Sequence, residues 1–484
     1  MEKIGLDVME KMLSNTKPTL IHNRDQYKES ERYYLNRNDI VNNDDNSVLQ
    51  AIIDFNGADG LLPATKKDLL RHADNRKSSN FHQILIDQEA GYIATKDPEI
   101  DVGNDNNNKA IKKVLGDDFS LILNKLIVDA SNAGYGWVHF WEDNNNSFHF
   151  AVVPPDEIFP IYADSLETEV KAVERVYKQL NTSTGNYDTI IEFWNDKQCT
   201  AFRKNSDGLD YFDMFPVVDN ATGDTIGSES VIQHGWGIVP FIKFSKNIKE
   251  KPELQKYKGS IDIFDKVYNG FANDLDDIQQ TILILKGYGG ESISGLWETI
   301  KKDKAIPIDP SPTGGSDTGV DTLNIEIPTE ARNIMLNISR QKIFDEGQGI
   351  DPQKFMENGA LSGKAIKGLY ANLELKATTT EKYFRPALSQ LIRMIMKHLG
   401  IADYQNIDIS QTWNRTAVQN DLEIAQGLSY VEKFTSSRNL ARANPYVDDA
   451  DKELQYQADD KVDGDGYSNP KNMKQIKDGL EDES

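Results

Sequence analysis

Residues 359–365, Gly-Ala-Leu-Ser-Gly-Lys-Ala, are where this chain comes nearest to phosphate chemistry. A phosphate loop needs a Gly-x-x-x-x-Gly-Lys-Ser/Thr frame after a strand, so that backbone N–H groups cradle phosphate and a hydroxyl holds Mg²⁺. Here the spacer is one residue short, Ala365 follows Lys364, and no apolar strand precedes it, so it reads as a glycine-rich entry to a helix. The segment Asp460-Lys-Val-Asp-Gly-Asp-Gly466 imitates a calcium loop with Asp463 and Asp465 at ligand positions. Its first position would be Lys461 and its last Asn472, where an Asp and a bidentate Glu are required, so it reads as a solvated acidic turn. His22, His72, His82, His139, His149, His234 and His398 form no His-Glu-x-x-His pair. His139 and His149 are expected to face each other across a hairpin, but two ligands without a third make a weak site. Cys199 sits in a strand-like run and reads as structural, and no Gly-x-Ser-x-Gly elbow exists. No catalytic, metal or cofactor constellation emerges.

The elements that must carry function therefore matter more than reactive groups. The 484 residues suggest about two to four domains. No apolar run reaches the ~18 residues of a membrane helix, and the first residues lack the pattern of a signal peptide. One cysteine excludes an intrachain disulfide framework and fits a reducing compartment. The net charge of −23 argues against a conventional DNA binder, because lysine and arginine supply most non-specific affinity. The charge fits plain solubility, and it equally fits a surface past which DNA slides without sticking.

Residues 1–60 read as helical and polar, residues 80–94 as a helix ended by Gly91, residues 101–108 as a loop, and residues 117–130 as an amphipathic helix. Aromatic and β-branched runs at 136–141 and 147–153 around Glu142–Asn146 predict a hairpin, with further strands at 172–178, 189–194, 199–203 and 241–244. From Phe264 the apolar positions Phe264, Tyr268, Phe271, Leu275, Ile278, Ile282 and Leu285 alternate spacings of four and three. That is a seam of period 3.5 suited to helix packing, and it suits an ordinary buried helix as well. Residues 287–327 form an excursion far beyond usual loop length. A helix follows at about 329–346, then a glycine-punctuated segment from Gly349. A very long helix begins near Leu361, which Pro386 must kink or divide and Gly400 closes. Ile407–Trp413 suggests a short strand, and the acidic tail reads as mobile.

One combination is specific. The order helix, excursion, helix, glycine-marked loop, long helix resembles the portal proteins of tailed phages, especially the siphophage type from Gram-positive hosts. Leu361-Ser-Gly-Lys-Ala-Ile-Lys-Gly-Leu-Tyr-Ala-Asn-Leu-Glu-Leu-Lys-Ala377 is similar to that family's SGxALKxLYxxLxLKA pattern, with Ile366 where Leu is commoner. Asn80-Phe-His-Gln-Ile-Leu-Ile-Asp-Gln-Glu-Ala-Gly-Tyr92 resembles its NFHxxLVDQxxGY segment. Ala133–Gly136, Val153–Ile158 and Ser260–Asp265 fit too, so the likeness spans about 27–450; the tail departs from it.

The resemblance implies an α+β, mostly helical portal fold. Residues 1–258 would be a wing, helical at its N-terminus and then β-rich. Residues 259–286 and 328–348 would be two stem helices, 287–327 a small α/β clip, and 349–361 a tunnel loop. Residues 362–414 would be the long kinked helix and wing return, 415–458 a helical crown, and 459–484 an acidic mobile tail. It implies a ring of about twelve copies closed by a heterologous interface, with the stem seam between helices or subunits. Double-stranded DNA, the terminase large subunit, a head-to-tail adaptor and the major capsid or scaffolding protein would be partners; no membrane would be. It places Lys354 and Asn358 against DNA, with Gly349 and Gly359 freeing the loop at both ends, and Trp297 and Glu298 on the clip docking surface. A solvated lysine is the plain alternative for Lys354. The chain would sit at the capsid portal vertex of the virion, and in the host cytoplasm during assembly. The rivals are another head-tail structural protein or, with no usable phosphate loop, a packaging ATPase.

Overall fold

The computed structural model describes residues 3–16, 18–42, 73–167, 169–206, 208–218, 225–278, 282–286, 319–323, 328–353, 363–415, 428–444, 447 and 450–462. The chain divides into two compact units, Met1–Glu357 with Tyr370–Thr416, and Asn358–Leu369 with Ala417–Ser484.

The first unit opens with helices α1 (Leu6–Ser14), α2 (Pro18–Tyr34) and α3 (Asp39–Asn42), followed by α4 (Phe81–Ile93). After strand β1 (Glu99–Asp101) comes α5 (Asp105–Leu115), which begins inside the segment expected to be a loop. The cause is a cap: the Asn104 side chain accepts from the backbone N–H groups of Asn106 and Asn107, at 3.0 and 3.1 Å. Helix α6 (Phe119–Ala133) ends at Gly134, whose φ is +88°. A Cβ there would lie 2.2 Å from the carbonyl carbon of Glu250, so both conformation and space require glycine.

The β-rich part follows as β2 (Tyr135–Glu142), β3 (Phe148–Val153), β4 (Ile158–Tyr162), β5 (Val170–Leu180), β6 (Tyr187–Trp194), β7 (Gln198–Asn205), β8 (Gly208–Tyr211), β9 (Phe215–Val218), β10 (Thr225–Glu229), β11 (Val231–Gln233) and β12 (Phe241–Ser245). One antiparallel sheet has the order β11-β7-β6-β5-β4, with β8 also on β7, and another has the order β12-β2-β3. Pro160 is tolerated because β4 is an edge strand. Alternation of period two splits the side chains between two cores. Trp137, Val173, Trp194, Cys199 and Phe241 share one, while Ala172, Ile191, Phe193 and Phe202 share the other with Met9 of α1. Cys199 is fully buried there, and burial pushes its thiol well above the ordinary range, in keeping with a structural residue. The two histidines do not face each other. His139 pairs with Ala151 and His149 with Trp141, so the Trp141 ring stacks between them.

The helical part comprises α7 (Leu254–Ile278), strands β13 (Ile282–Lys286) and β14 (Gly319–Leu323), α8 (Thr329–Glu346) and α9 (Gly363–His398). Helix α9 runs through Pro386 without being divided, and Gly400 (φ +68°) follows its end. Strand β15 (Ser410–Thr412) returns to pair with β1. The second unit contributes α10 (Ser437–Ala443) and α11 (Ala450–Val462).

Candidate functional site: a helix pair and the segment that leaves it

Helices α7 and α8 pack antiparallel. Ser260 near the start of α7 donates to Glu346 at the end of α8 at 3.0 Å, while Asp274 near the end of α7 pairs with Arg332 near the start of α8. The first turns of α7 belong to the core of the unit: Leu254, Tyr257 and Ile261 are buried with Tyr33, Phe81, Leu85, Ile343 and Phe344. Beyond them the pair emerges from that core. Tyr268 and Leu275 are 41% and 47% exposed, and on α8 Ile334 and Ile338 are 52% and 48% exposed.

The apolar seam expected from Phe264 to Leu285 is therefore three things in sequence. Phe264 points inward, its ring edge-on to Phe81 at 4.9 Å. Tyr268, Phe271 and Leu275 run along the emerging part, with the Arg332 guanidinium over the Phe271 ring at 5.5 Å. Ile278 is the last residue of α7. The helical expectation fails after it: Ile282 and Leu285 lie in β13, opposite Leu323 and Val320 of β14. A short Ile-Leu-Ile-Leu run satisfies strand and helix alike, and the presence of a partner strand decides it. Trp297, Glu298, Lys354, Asn358 and Gly359 lie outside the described residues.

Helix α7 also carries a polar ladder that sequence reasoning passed over. Asp265, Asn269 and Asn273 are spaced by four and so stack on one face. Their side-chain oxygens accept from the backbone N–H groups of Ser79, Lys77 and Asn75 at 3.0, 2.7 and 2.6 Å. Alternate residues of the segment 73–80 are thus held by side chains of α7 instead of a neighbouring strand. Asn38 joins the ladder by donating to Asp265 at 2.6 Å.

Four buried charges fasten α4, the end of β12, the start of α7 and α9 together. Lys246 pairs with Glu89, and lies 3.6 Å from Glu253. Lys376 reaches Glu89 at 3.1 Å and Glu253 at 2.6 Å. Thr380 adds a hydrogen bond to Glu89 at 2.6 Å. Two cations and two anions cancel, which is the condition for burying charge at all. Burial pushes the Glu253 carboxyl up, but Lys376, Lys246 and Lys256 outweigh it and hold it below the ordinary range. Burial likewise acts to lower the Lys376 ammonium, and Glu253 and Glu89 outweigh it and raise it. Beside this tetrad His82 bridges Tyr257 (2.8 Å) and Asn132 (2.9 Å), and burial lowers its imidazole to about 4, so it is neutral at pH 7.

The segment leaving α8 is held from three sides. Gln88 accepts from the Ile350 N–H at 2.9 Å and donates to the Ile350 carbonyl at 2.7 Å. Arg340 makes a forked pair with Asp351, at 2.7 to 3.2 Å. Gly349 lies against α4, where a Cβ would come 2.2 Å from a methyl of Leu85. Its glycine is needed here for close approach, whereas the sequence suggested conformational freedom. Among the described residues no cluster of His, Cys, Asp and Glu could hold a metal ion. Among them, too, no helix is long and apolar enough to cross a membrane.

The chain thus presents a helix pair with exposed apolar residues, a latched segment after it and a long helix in a mixed helix-and-sheet body. The chain belongs to the phage portal protein family: the family profile described as "Phage portal protein, SPP1 Gp6-like" matches residues 15–466. It is 37% identical over 443 residues to the portal protein of Clostridium phage phiCD119, covering 88% of this chain and 91% of that one. It is 27% identical over 440 residues to the portal protein of Bacillus phage SPP1, covering 90% of this chain and 83% of that one. Among solved structures it is similar to a chain from "Neck of empty GTA particle computed with C6 symmetry", at 12% identity and a TM-score of 0.40, covering 75% of this chain and 88% of that one. At the level of the family the chain is a structural protein and not an enzyme.

Proposed function

We propose that about twelve copies of this chain close into a ring at the capsid vertex, and that double-stranded DNA enters and leaves through its centre. In this reading α7 and α8 are the stem, residues 287–327 are the clip that meets the terminase motor and later the head-to-tail adaptor, and residues 349–361 are the tunnel loop. The crown, residues 415–458, faces the capsid interior, where the capsid or scaffolding protein is the neighbour. The observation that carries the reading is the exposure of Tyr268, Leu275, Ile334 and Ile338 on both helices of one pair. An apolar stripe on two faces of an emerging hairpin suits a heterologous contact, in which one face of each copy meets the other face of the next. Of the residues reserved for DNA, Lys354 is assigned a phosphate contact and Asn358 a neutral one, in keeping with a wall that grips weakly.

Negative-stain imaging of the purified chain tests the ring, with open-centred rings expected. A phage carrying Lys354→Glu, or a loop shortened by two residues, tests the channel. Intact rings with impaired packaging or retention of DNA are expected, and normal genome filling with the shortened loop removes that loop from the mechanism. Monomers that turn over ATP would support the motor instead.

A further inference from the structure

The segment from Gly347 to Asp351 joins the stem helix α8 to the chain that enters residues 354–362, and it is attached to the body of the unit as well as to α8. The Gln88 carboxamide of α4 meets Ile350 as a β-strand would, accepting from its N–H at 2.9 Å and donating to its carbonyl at 2.7 Å. Lys376 of α9, already bound to Glu89 and Glu253, directs its ammonium to the Gly347 carbonyl at 3.3 Å and the Leu85 carbonyl at 3.5 Å. The segment is also tied back to α8, by the Arg340–Asp351 fork and by the Gly347 and Gly349 amides, which donate to the Ile343 and Phe344 carbonyls at 2.9 Å each. Gly347 and Gly349 both lie where a Cβ would strike Leu85, so the segment is pressed against α4 along its length.

We propose that Gln88 is a positioning residue for the tunnel loop, which it registers to the wing helix α4 and, through the neighbouring charge tetrad, to the long helix α9, so that the loop's point of departure follows the wing as well as the stem. This rests on the reading of residues 349–361 as the channel loop. A carboxamide suits the task because its separate oxygen and NH2 satisfy one backbone donor and one acceptor of the same residue at once, which an ionised carboxylate, an acceptor only, cannot do. The fork on Asp351 sets the direction in which the chain continues, since two parallel bonds fix an orientation as well as a distance.

Amide hydrogen exchange on the assembled full-length protein tests this. In Gln88→Met, the side chain keeps its bulk and loses both bonds, so the Ile350 amide should exchange roughly tenfold faster or more. Peptides from the buried part of α7 and the ring mass should be unchanged, and phage carrying the variant should form rings but fill less DNA. Arg340→Lys, which breaks the fork and leaves both Gln88 bonds in place, should give the same pattern and guards against a folding failure of the first variant. An unchanged Ile350 amide overturns the proposal, as does faster exchange spread over α4, α7 and α8, which would mark a merely structural residue. Faster exchange at Ile350 with normal DNA filling overturns it too, provided the shortened loop impairs filling. If the shortened loop also fills normally, the channel reading fails and this proposal fails with it.

Discussion

Asn269 holds the backbone of Lys77 from both sides, its Oδ1 accepting from the amide at 2.7 Å and its Nδ2 donating to the carbonyl at 2.8 Å. Asn269 is buried on α7, while Lys77 itself is exposed. Replacing Asn269 with Leu removes both bonds. The expected loss is about 1–3 kcal/mol, seen as a lower urea midpoint with an unchanged slope. A loss within error would mean that the segment 73–80 adds nothing to the stability of the α7–α8 pair.

In the proposed ring, Leu275 separates folding from assembly. It is 47% exposed in the single chain, and exposed positions usually tolerate substitution within about 0.5 kcal/mol. Leu275→Asp should therefore leave the thermal midpoint of the subunit nearly unchanged and abolish rings, because a neighbouring copy would bury the new charge. Native mass measurement gives the answer, and normal rings from this variant would move the interface away from the seam.

The charge tetrad should be the least tolerant spot in the body. Lys376→Met leaves Glu89 and Glu253 with Lys246 as the one buried cation between them, the more exposed Lys256 reaching only Glu253, at a cost of about 3–5 kcal/mol. Adding Glu253→Gln should recover part of it by restoring neutrality. The pH dependence follows from the direction of each shift. Glu253 is lowered from 4.5, so its contribution is fully present above pH 4.5 and is lost as pH falls toward its folded value. Lys376 is raised from 10.5, so its contribution is fully present below pH 10.5 and is lost only as pH rises beyond it. Stability from the tetrad should be flat between those limits, and calorimetry across pH checks it.

Asp129 behaves in the opposite sense. Burial chiefly, helped by Glu31 and Asp156 and opposed by Lys125, raises its carboxyl from 3.8 to about 7. Its Oδ2 is buried with no hydrogen-bond partner. The folded state then binds this proton more tightly than the unfolded chain, so stability falls as pH rises from about 4 to 7. Asp129→Asn should raise the thermal midpoint at pH 8, with the difference shrinking toward pH 4. An equal effect at both pH values would show that shape and not charge is responsible.

Much of this protein was legible in one dimension. Alternation of aromatic and β-branched residues located β2, β3, β5, β6 and β7, and helical spacing located α4, α6, α8 and most of α9, because each pattern is set by local geometry. The order of those elements, with Leu361–Ala377 and Asn80–Tyr92, was enough to point to the family that the comparison confirms. Other outcomes depended on partners far away in the chain. Whether Ile282–Leu285 continues a helix or becomes a strand depended on β14, some forty residues on. Gly349 looked like a free hinge until Leu85 was placed beside it. Gln88, Glu89 and Lys376 stood inside the quoted motifs with no visible role. A carboxamide that reads a backbone and a lysine that neutralises two buried carboxylates carry no periodicity. Their energies come from desolvation and pairing, which exist only once the tertiary structure has removed the water.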